Sequence, residues 1–483
     1  MYFERWQIVV EGLLLAALAA ATLCLFQPGD ALAITAALAV AYLVPRIFYT
    51  SRSWCTRTGR IVFGLLSAMM VALAVLTIWN DTVSLNLPLS QPHLSSDDGI
   101  YYRWARHYFD GSCPAPNTAF IGFPLLMLAT WKVFGMSIVW PLALNVMFTL
   151  VTVVVAAAIT VRLLRERVKQ SDRWLATLAL CLTATLMFFI SQGLRIQKEA
   201  IIYLAMSLLG YVLAGMNGRT SHAQNRKWHD LALWTVSCAI LALGRNTYLY
   251  FVALGLIIVG ISYWQANARK AAWLMLIVIG AFIIGNVLAR YSVEGHIDIV
   301  KGGYYMQKQY LGSDVQQPYL DFVGKYFYYP VWQRLLLLPL TCAVQFIIPF
   351  PWLYGNFEIL SYFPRIAWGW YIIGGIALFY FFTMSWRRGM NMGTWAWWPV
   401  SIYVIIAYVI AGTVSRYILP VEPMAVPIAV YVIAKLREGV MCRTFKWWAV
   451  IFVVVLVITL IVCYHIQLSY LNDLDNYYHS LMQ

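Results

Sequence analysis

Two groups of ionisable side chains stand out because each sits where charge is costly. The first is the adjacent pair Asp97 and Asp98 in SSDDGIYYRWARHYFDG. It directly precedes an aromatic stretch in which Tyr101, Trp104, Ala105 and Tyr108 recur at i, i+3, i+4 and i+7, the spacing of one helix face. The plain structural role is a cap, because Ser95 or Ser96 and the two carboxylates suit a helix N-terminus. A carboxylate fixed in that way near a membrane surface is also placed to act as a general base. Asp98, nearer the aromatic helix, is the better placed of the two. The second group is basic: Arg195 and Lys198 in QGLRIQKEA, Arg245 in LGRNTY, and Arg416 in SRYILPVEP. Each adjoins hydrocarbon, where charge is expensive and normally has a purpose. One alternative is snorkelling to head groups. Four such cations on one face instead predict a phosphate pocket, since Arg forks and Lys point charges are the natural ligands.

Weaker candidates surround these. Glu199 follows Lys198 at an expected helix start, where the helix dipole accounts for it. Glu294 and His296 in YSVEGHID form the close acid–His pair of a long loop, and Glu422 lies inside an apolar run beside Pro423. His93 and His107 are isolated, and the eight Cys form no CxxC pair, so neither a metal nor a redox site is signalled. P-loop, GxGxxG, HExxH and GxSxG motifs are missing, which argues against ATP, a nicotinamide cofactor or a serine nucleophile. No cofactor is expected.

The elements that must position these residues are helices in lipid. Of 483 residues, 62% are hydrophobic and 11% charged. A water-facing surface needs about 25% charged residues, so a soluble enzyme is excluded. Apolar runs at 7–26, 31–48, 61–79, 138–161, 174–191, 199–215, 230–243, 247–264, 272–289, 366–384, 395–412, 418–434 and 447–464 are near the length that crosses a bilayer. They predict an all-α polytopic protein of about thirteen transmembrane helices. Residues 119–134 and 335–351 are too short or too broken by Pro, and are expected to lie in the interface or to dip in and return. The resulting modules are 1–79, 80–137 with the acidic motif, 138–289, 290–365, and 366–483 with the tail.

Lys and Arg give the expected orientation. They concentrate in alternate loops, at Arg46–Arg60, Arg162–Arg173, Arg219–Lys227, Arg269–Lys270, Arg387–Arg388 and Lys435–Lys446. The positive-inside rule makes that face cytoplasmic, with the N-terminus inside and the C-terminus outside. The long loops 80–137 and 290–365 then share the outer face. The net charge of +14 follows from the same bias and from anionic lipid, without nucleic acid as a partner.

The order of features resembles the GT-C superfamily of integral-membrane glycosyltransferases. The residues that carry the likeness are Asp97-Asp98 before Tyr101-Tyr102 and Ala105, then Gly122-Phe123-Pro124-Leu125-Leu126 through Phe134-Gly135. Lys198-Glu199 opening a span, Gly244-Arg245 at a short turn, and Arg416-Tyr417 with Pro420 and Pro423 complete it. The likeness covers roughly residues 90–265 and 395–435, while the acidic loop follows the third span rather than the first, so two spans look added at the N-terminus. The resemblance implies a polyprenyl-phosphate-sugar donor and a glycan or glycolipid acceptor such as lipopolysaccharide or O-antigen. It also implies a bacterial inner membrane with the active site on the periplasmic face.

On that reading Asp97 and Asp98 supply the base of an inverting transfer, and Arg195, Lys198, Arg245 and Arg416 hold the leaving phosphate. Tyr101, Tyr102, Glu199, Glu294, His296 and Tyr417 are acceptor or sugar contacts. A divalent metal is not expected. A polysaccharide polymerase acting on polyprenyl-diphosphate-linked units is the nearest alternative, and a lipid or solute transporter is an alternative of another class.

Overall fold

Several helix starts carry a local signal. Pro28 opens the helix 28–50 in its first turn, where a missing N–H costs nothing, and Asp30 sits in the same turn. Thr56 caps the next helix by accepting from the Gly59 N–H at 2.9 Å, and Ser171 caps a later one by accepting from the Trp174 N–H at 3.3 Å.

The structure is a computed structural model that describes residues 5–94, 96–112, 122–216, 227–245, 248–249, 252–253, 331–347, 374–378, 380, 394–410, 419–439, 445–458 and 461. The described residues contain helices and no strand. In chain order these are α1 (Arg5–Leu25), α2 (Pro28–Thr50), α3 (Arg57–Asp81), α4 (Ser96–Phe109), α5 (Gly122–Phe134), α6 (Val139–Leu164) and α7 (Asp172–Ala184). They continue with α8 (Met187–Gln192), α9 (Glu199–Met216), α10 (Lys227–Arg245), α11 (Val331–Ile347), α12 (Trp397–Ile410) and α13 (Glu422–Arg437). Among the described residues, four segments are long and apolar enough to cross a bilayer: Ile8–Leu25, Pro28–Thr50, Arg57–Leu85 and Val139–Leu164. This is a helical membrane protein.

Helix α6 is the axis of the fold. Its apolar stretch is 72% buried, whereas that of α1 is 17% buried, so α1 gives most of its surface to lipid. Around α6 pack α2, α3, α5, α7, α9 and α13. The sequence predicts 138–161 and 199–215 as spans, and α6 and α9 occupy those runs. The expected interfacial runs 119–134 and 335–351 overlap the shorter helices α5 and α11, the latter with Pro339 inside.

The run 174–191, expected as one span, is broken. Helix α7 ends at Ala184, and the N–H groups of Thr185 and Leu186 bond back three residues, to Leu182 and Thr183 at 3.0 and 3.1 Å. Those tight turns end the α-helical ladder, since α-helical bonds reach back four residues. After the short α8 the chain unwinds through Gly193–Lys198 before α9 begins. Runs 247–264, 272–289 and 366–384 lie largely outside the described residues, as does the long loop 290–365.

The bundle has two unlike ends. At one, Thr56 and Thr177 share a hydrogen bond of 2.7 Å, and Arg162 forks onto Asp230 at 2.6 and 3.2 Å. The Lys169 N–H donates to Glu438 at 2.6 Å there, and Arg46 donates to the Arg60 carbonyl at 2.7 Å. The other end gathers the C-terminus of α3, helices α4 and α5, the start of α6 and the unwound turn. It is tied by the Ile138 N–H to Leu89 at 3.0 Å and the His93 N–H to Asp81 at 2.8 Å.

Candidate functional site

The unwound turn is buried. Gln197, Lys198 and Glu199 are between 1% and 3% exposed, and Arg195 is half-buried. A buried turn outside the α-helical ladder cannot be left in a low dielectric with bare carbonyls. Asn145 of α6 meets that need, its Nδ2 donating to the carbonyls of Arg195 at 2.7 Å and Gln197 at 2.8 Å. Gly193 allows the close approach of α6, because a Cβ there would lie 2.2 Å from Thr149 Oγ1.

Helix α4 lies over this turn. The acidic pair falls inside its first turn rather than on a loop leading into it, since the helix already begins at Ser96. The dipole at a helix start favours that placement of carboxylates. The side chain of Asp98 is half-buried and accepts a hydrogen bond from Gln197 Nε2 and another from the Ile196 backbone N–H. Burial pushes its carboxyl up to about 6, against the opposing pull of Arg195, the Gln197 amide and the Ile196 N–H, while Glu199 adds to the rise. Asp97 is the second residue of the same helix.

The buried face of α4 consists of Tyr101, Tyr102 and Ala105, with Trp104 and Tyr108 half-buried beside them. Lys198 Nζ stands 5.5 Å from the centre of the Tyr101 ring, which in turn meets Phe123 of α5 edge-on at 5.8 Å. The Tyr102 hydroxyl donates to the Ser90 carbonyl at 3.1 Å, so Tyr102 secures α4 to the preceding loop. On the far face of α4, Arg103 and Arg106 help line a surface cleft of about 270 Å³.

Arg245, at the end of α10, is 7% exposed and lies 3.8 Å from Glu199 Oε1, with its guanidinium 5.8 Å from the Tyr248 ring. Helix α5 locks this end of α10 in place: a Cβ on Gly122 would sit 2.6 Å from the Leu243 carbonyl oxygen.

Asp98, Arg195, Lys198, Glu199 and Arg245, chosen from sequence, are thus gathered at one end of the bundle. Tyr101 touches the cluster, whereas Tyr102 faces the loop. Arg416, Tyr417, Glu294 and His296 lie outside the described residues. Glu422 opens α13, where its neighbour Met424 lies within reach of Gly210, eleven residues down α9 from Glu199. It belongs to a deeper layer than the cluster.

Two members of the site were missed from sequence, Gln197 and Asn145. Asn145 is a neutral amide inside the apolar run 138–161, and Gln197 stands between Arg195 and Lys198, where the neighbouring charges draw the attention. Among the described residues no group of three or more His, Cys, Asp and Glu is placed to hold a metal ion. Comparison with protein-family models, curated proteins and solved structures gives no match.

Proposed function

We propose that this protein is a membrane glycosyltransferase of GT-C type that moves one sugar from a polyprenyl-phosphate carrier to an envelope glycan or glycolipid, with inversion. The observation that carries the reading is the placement of one ionisable carboxylate, Asp98, among Arg195, Lys198 and Arg245 at one end of a lipid-embedded bundle. With Asp98 and Glu199 both ionised, these five side chains still carry an excess of positive charge. A phosphate group is a natural ligand for such a set of Arg and Lys side chains.

The chemistry divides between the two halves of the cluster. An acceptor hydroxyl attacks the anomeric carbon and gives its proton to Asp98. The bond from that carbon to the phosphate oxygen breaks, and the polyprenyl phosphate leaves with the electron pair. Arg195, Lys198 and Arg245 face the charge that develops on the leaving oxygen, the contribution of a preorganised cationic site. Glu199 orients Arg245, and Tyr101 covers Lys198. Arg416 and Tyr417 complete the donor side on the resemblance alone, and Glu294 and His296 belong to the acceptor loop on the same ground.

About thirteen spans, a cytoplasmic N-terminus and a periplasmic active site in a bacterial inner membrane accompany this proposal. The clustering of Arg46, Arg60, Arg162, Lys169 and Lys435 at the end opposite Asp98 supports that orientation.

A transporter reading draws on a different observation, the buried unwound turn, since discontinuous helices line substrate sites in many transporters. Mass spectrometry of envelope glycans separates the two. Cells carrying Asp98→Asn should lack one fixed sugar mass that the parent adds. Unchanged glycans in that variant and in a deletion would overturn the glycosyltransferase assignment.

A further inference from the structure

The unwound turn must keep one shape if Asp98 is to meet its donors, and a single side chain from another helix holds it. Both Asn145 Nδ2 hydrogens are committed, one to the Arg195 carbonyl at 2.7 Å and one to the Gln197 carbonyl at 2.8 Å. Two carbonyl acceptors on the same side fix the amide's orientation, because its oxygen there would repel them. Between and beside those carbonyls lie the groups that reach Asp98: the Ile196 N–H and the Gln197 side-chain amide. Asn145 is itself fully buried on the central helix α6.

We propose that Asn145 is a positioning residue that holds the 193–198 turn in the form that aims Ile196 N–H and Gln197 Nε2 at Asp98, and thereby governs how readily Asp98 ionises. Asn145 makes no contact with Asp98. It acts by fixing the backbone on either side of the two donors. The substitution to Asp keeps the shape but turns both donors into acceptors facing carbonyls. Leu keeps the approximate volume and offers no donor.

Among the described residues, the charged groups near Asp98 come from the turn, α9 and α10. Arg195 of the turn and Glu199 of α9 act on Asp98 directly, while Lys198 of the turn lies over the Tyr101 ring and Arg245 of α10 lies beside Glu199. Removing Asn145 alters none of these charges. It loosens the Ile196 and Gln197 hydrogen bonds, which favour the ionised carboxylate, while leaving burial in force. The Asp98 midpoint should therefore rise. Loosening hydrogen bonds to a carboxylate is expected to move it by about one pH unit.

The consequence for transfer rests on the proposed function, but the ionisation of Asp98 does not, so the test reads the carboxyl directly. Infrared difference spectra of the purified protein in lipid nanodiscs are recorded across pH. The carboxyl band that disappears in Asp98→Asn is assigned to Asp98. In Asn145→Leu that band should persist to a higher pH. Thr149→Val, one helical turn along α6, removes a buried hydroxyl beside Gly193 without touching either carbonyl, and should titrate like the parent. If Leu at 145 prevents insertion, Asn145→Ser, which can serve one carbonyl at most, should show a smaller rise. An unmoved midpoint in the Asn145 variants, or an equal rise in Thr149→Val, would overturn the assignment to Asn145. Where an assay of transfer exists, the acid limb of kcat/KM should move with the band. A shifted band with an unmoved limb would count against Asp98 as the base and leave the Asn145 assignment standing.

Discussion

At Asp98 two forces oppose each other. Burial favours the neutral acid, whereas Arg195, the Gln197 amide and the Ile196 N–H favour the anion. The balance near 6 leaves the group mostly ionised at neutral pH yet more basic than an ordinary carboxylate, which is what a general base needs. Because only the ionised form can take a proton, kcat/KM should fall as pH drops through about 6, and a pH profile of transfer checks this. Asp98→Asn should lower transfer by about 10²–10⁴-fold with normal expression, since Asn is also a good residue near a helix start. Arg245→Ala should raise the donor concentration required, by about 1.5–3 kcal/mol in binding, the worth of a charge-assisted hydrogen bond. Donor titration against the parent reads it, and an unchanged curve would make Arg245 a purely structural partner of Glu199. The charged members of the site were legible in the sequence because ionisable residues in an apolar chain are conspicuous. Gln197 and Asn145 were not, because a neutral amide has many ordinary uses and only its partners reveal which one applies.

Among the elements, the positions of α4 and α5 depend on contacts too close for a side chain. A Cβ at Gly122 would meet the Leu243 carbonyl oxygen at 2.6 Å, and one at Gly99 would meet the Leu94 carbonyl oxygen at 2.7 Å. Backbone atoms cannot swing aside as a side-chain tip can. Gly122→Ala should therefore cost about 1–3 kcal/mol, the usual penalty of overpacking, and thermal unfolding in detergent measures it. A melting temperature equal to the parent's would show that α5 is free to move away from α10. The sequence announced α4 through the periodicity of Tyr101, Trp104, Ala105 and Tyr108 and α5 through the apolar run 119–134. It did not announce the break after Ala184, because hydrophobicity is continuous across Thr185 and Leu186 while the backbone is not. The turn that carries Arg195, Gln197 and Lys198 was legible, because it falls between the apolar runs that end at 191 and begin at 199. A hydropathy window records how apolar a segment is, not whether its amides bond three residues back or four.

Among the described residues, the two ends carry different charged groups. Arg52, Arg57, Arg165 and Arg173 lie with the Arg46, Arg162 and Lys169 contacts at one end, and Asp98 with its cationic partners lies at the other. The positive-inside rule predicts that the first end faces the cytoplasm, because Lys and Arg near span ends resist translocation. The cations at the second end run against that rule and lie beside Asp98 and Glu199, which is why a site rather than a topological signal accounts for them. Ser84, exposed just after α3, and Ser171, exposed at the cap of α7, report on the two ends. A membrane-impermeant thiol reagent added to intact spheroplasts should label Ser84→Cys and spare Ser171→Cys, and the pattern should reverse in inverted vesicles. Each substitution removes one hydroxyl at an exposed position, and Ser171→Cys at most weakens a cap by about 1 kcal/mol, so insertion should survive. Labelling of both positions from one side would place Asp98 on the same face as Arg162 and Lys169. A periplasmic active site would then be untenable whatever the local geometry around Asp98.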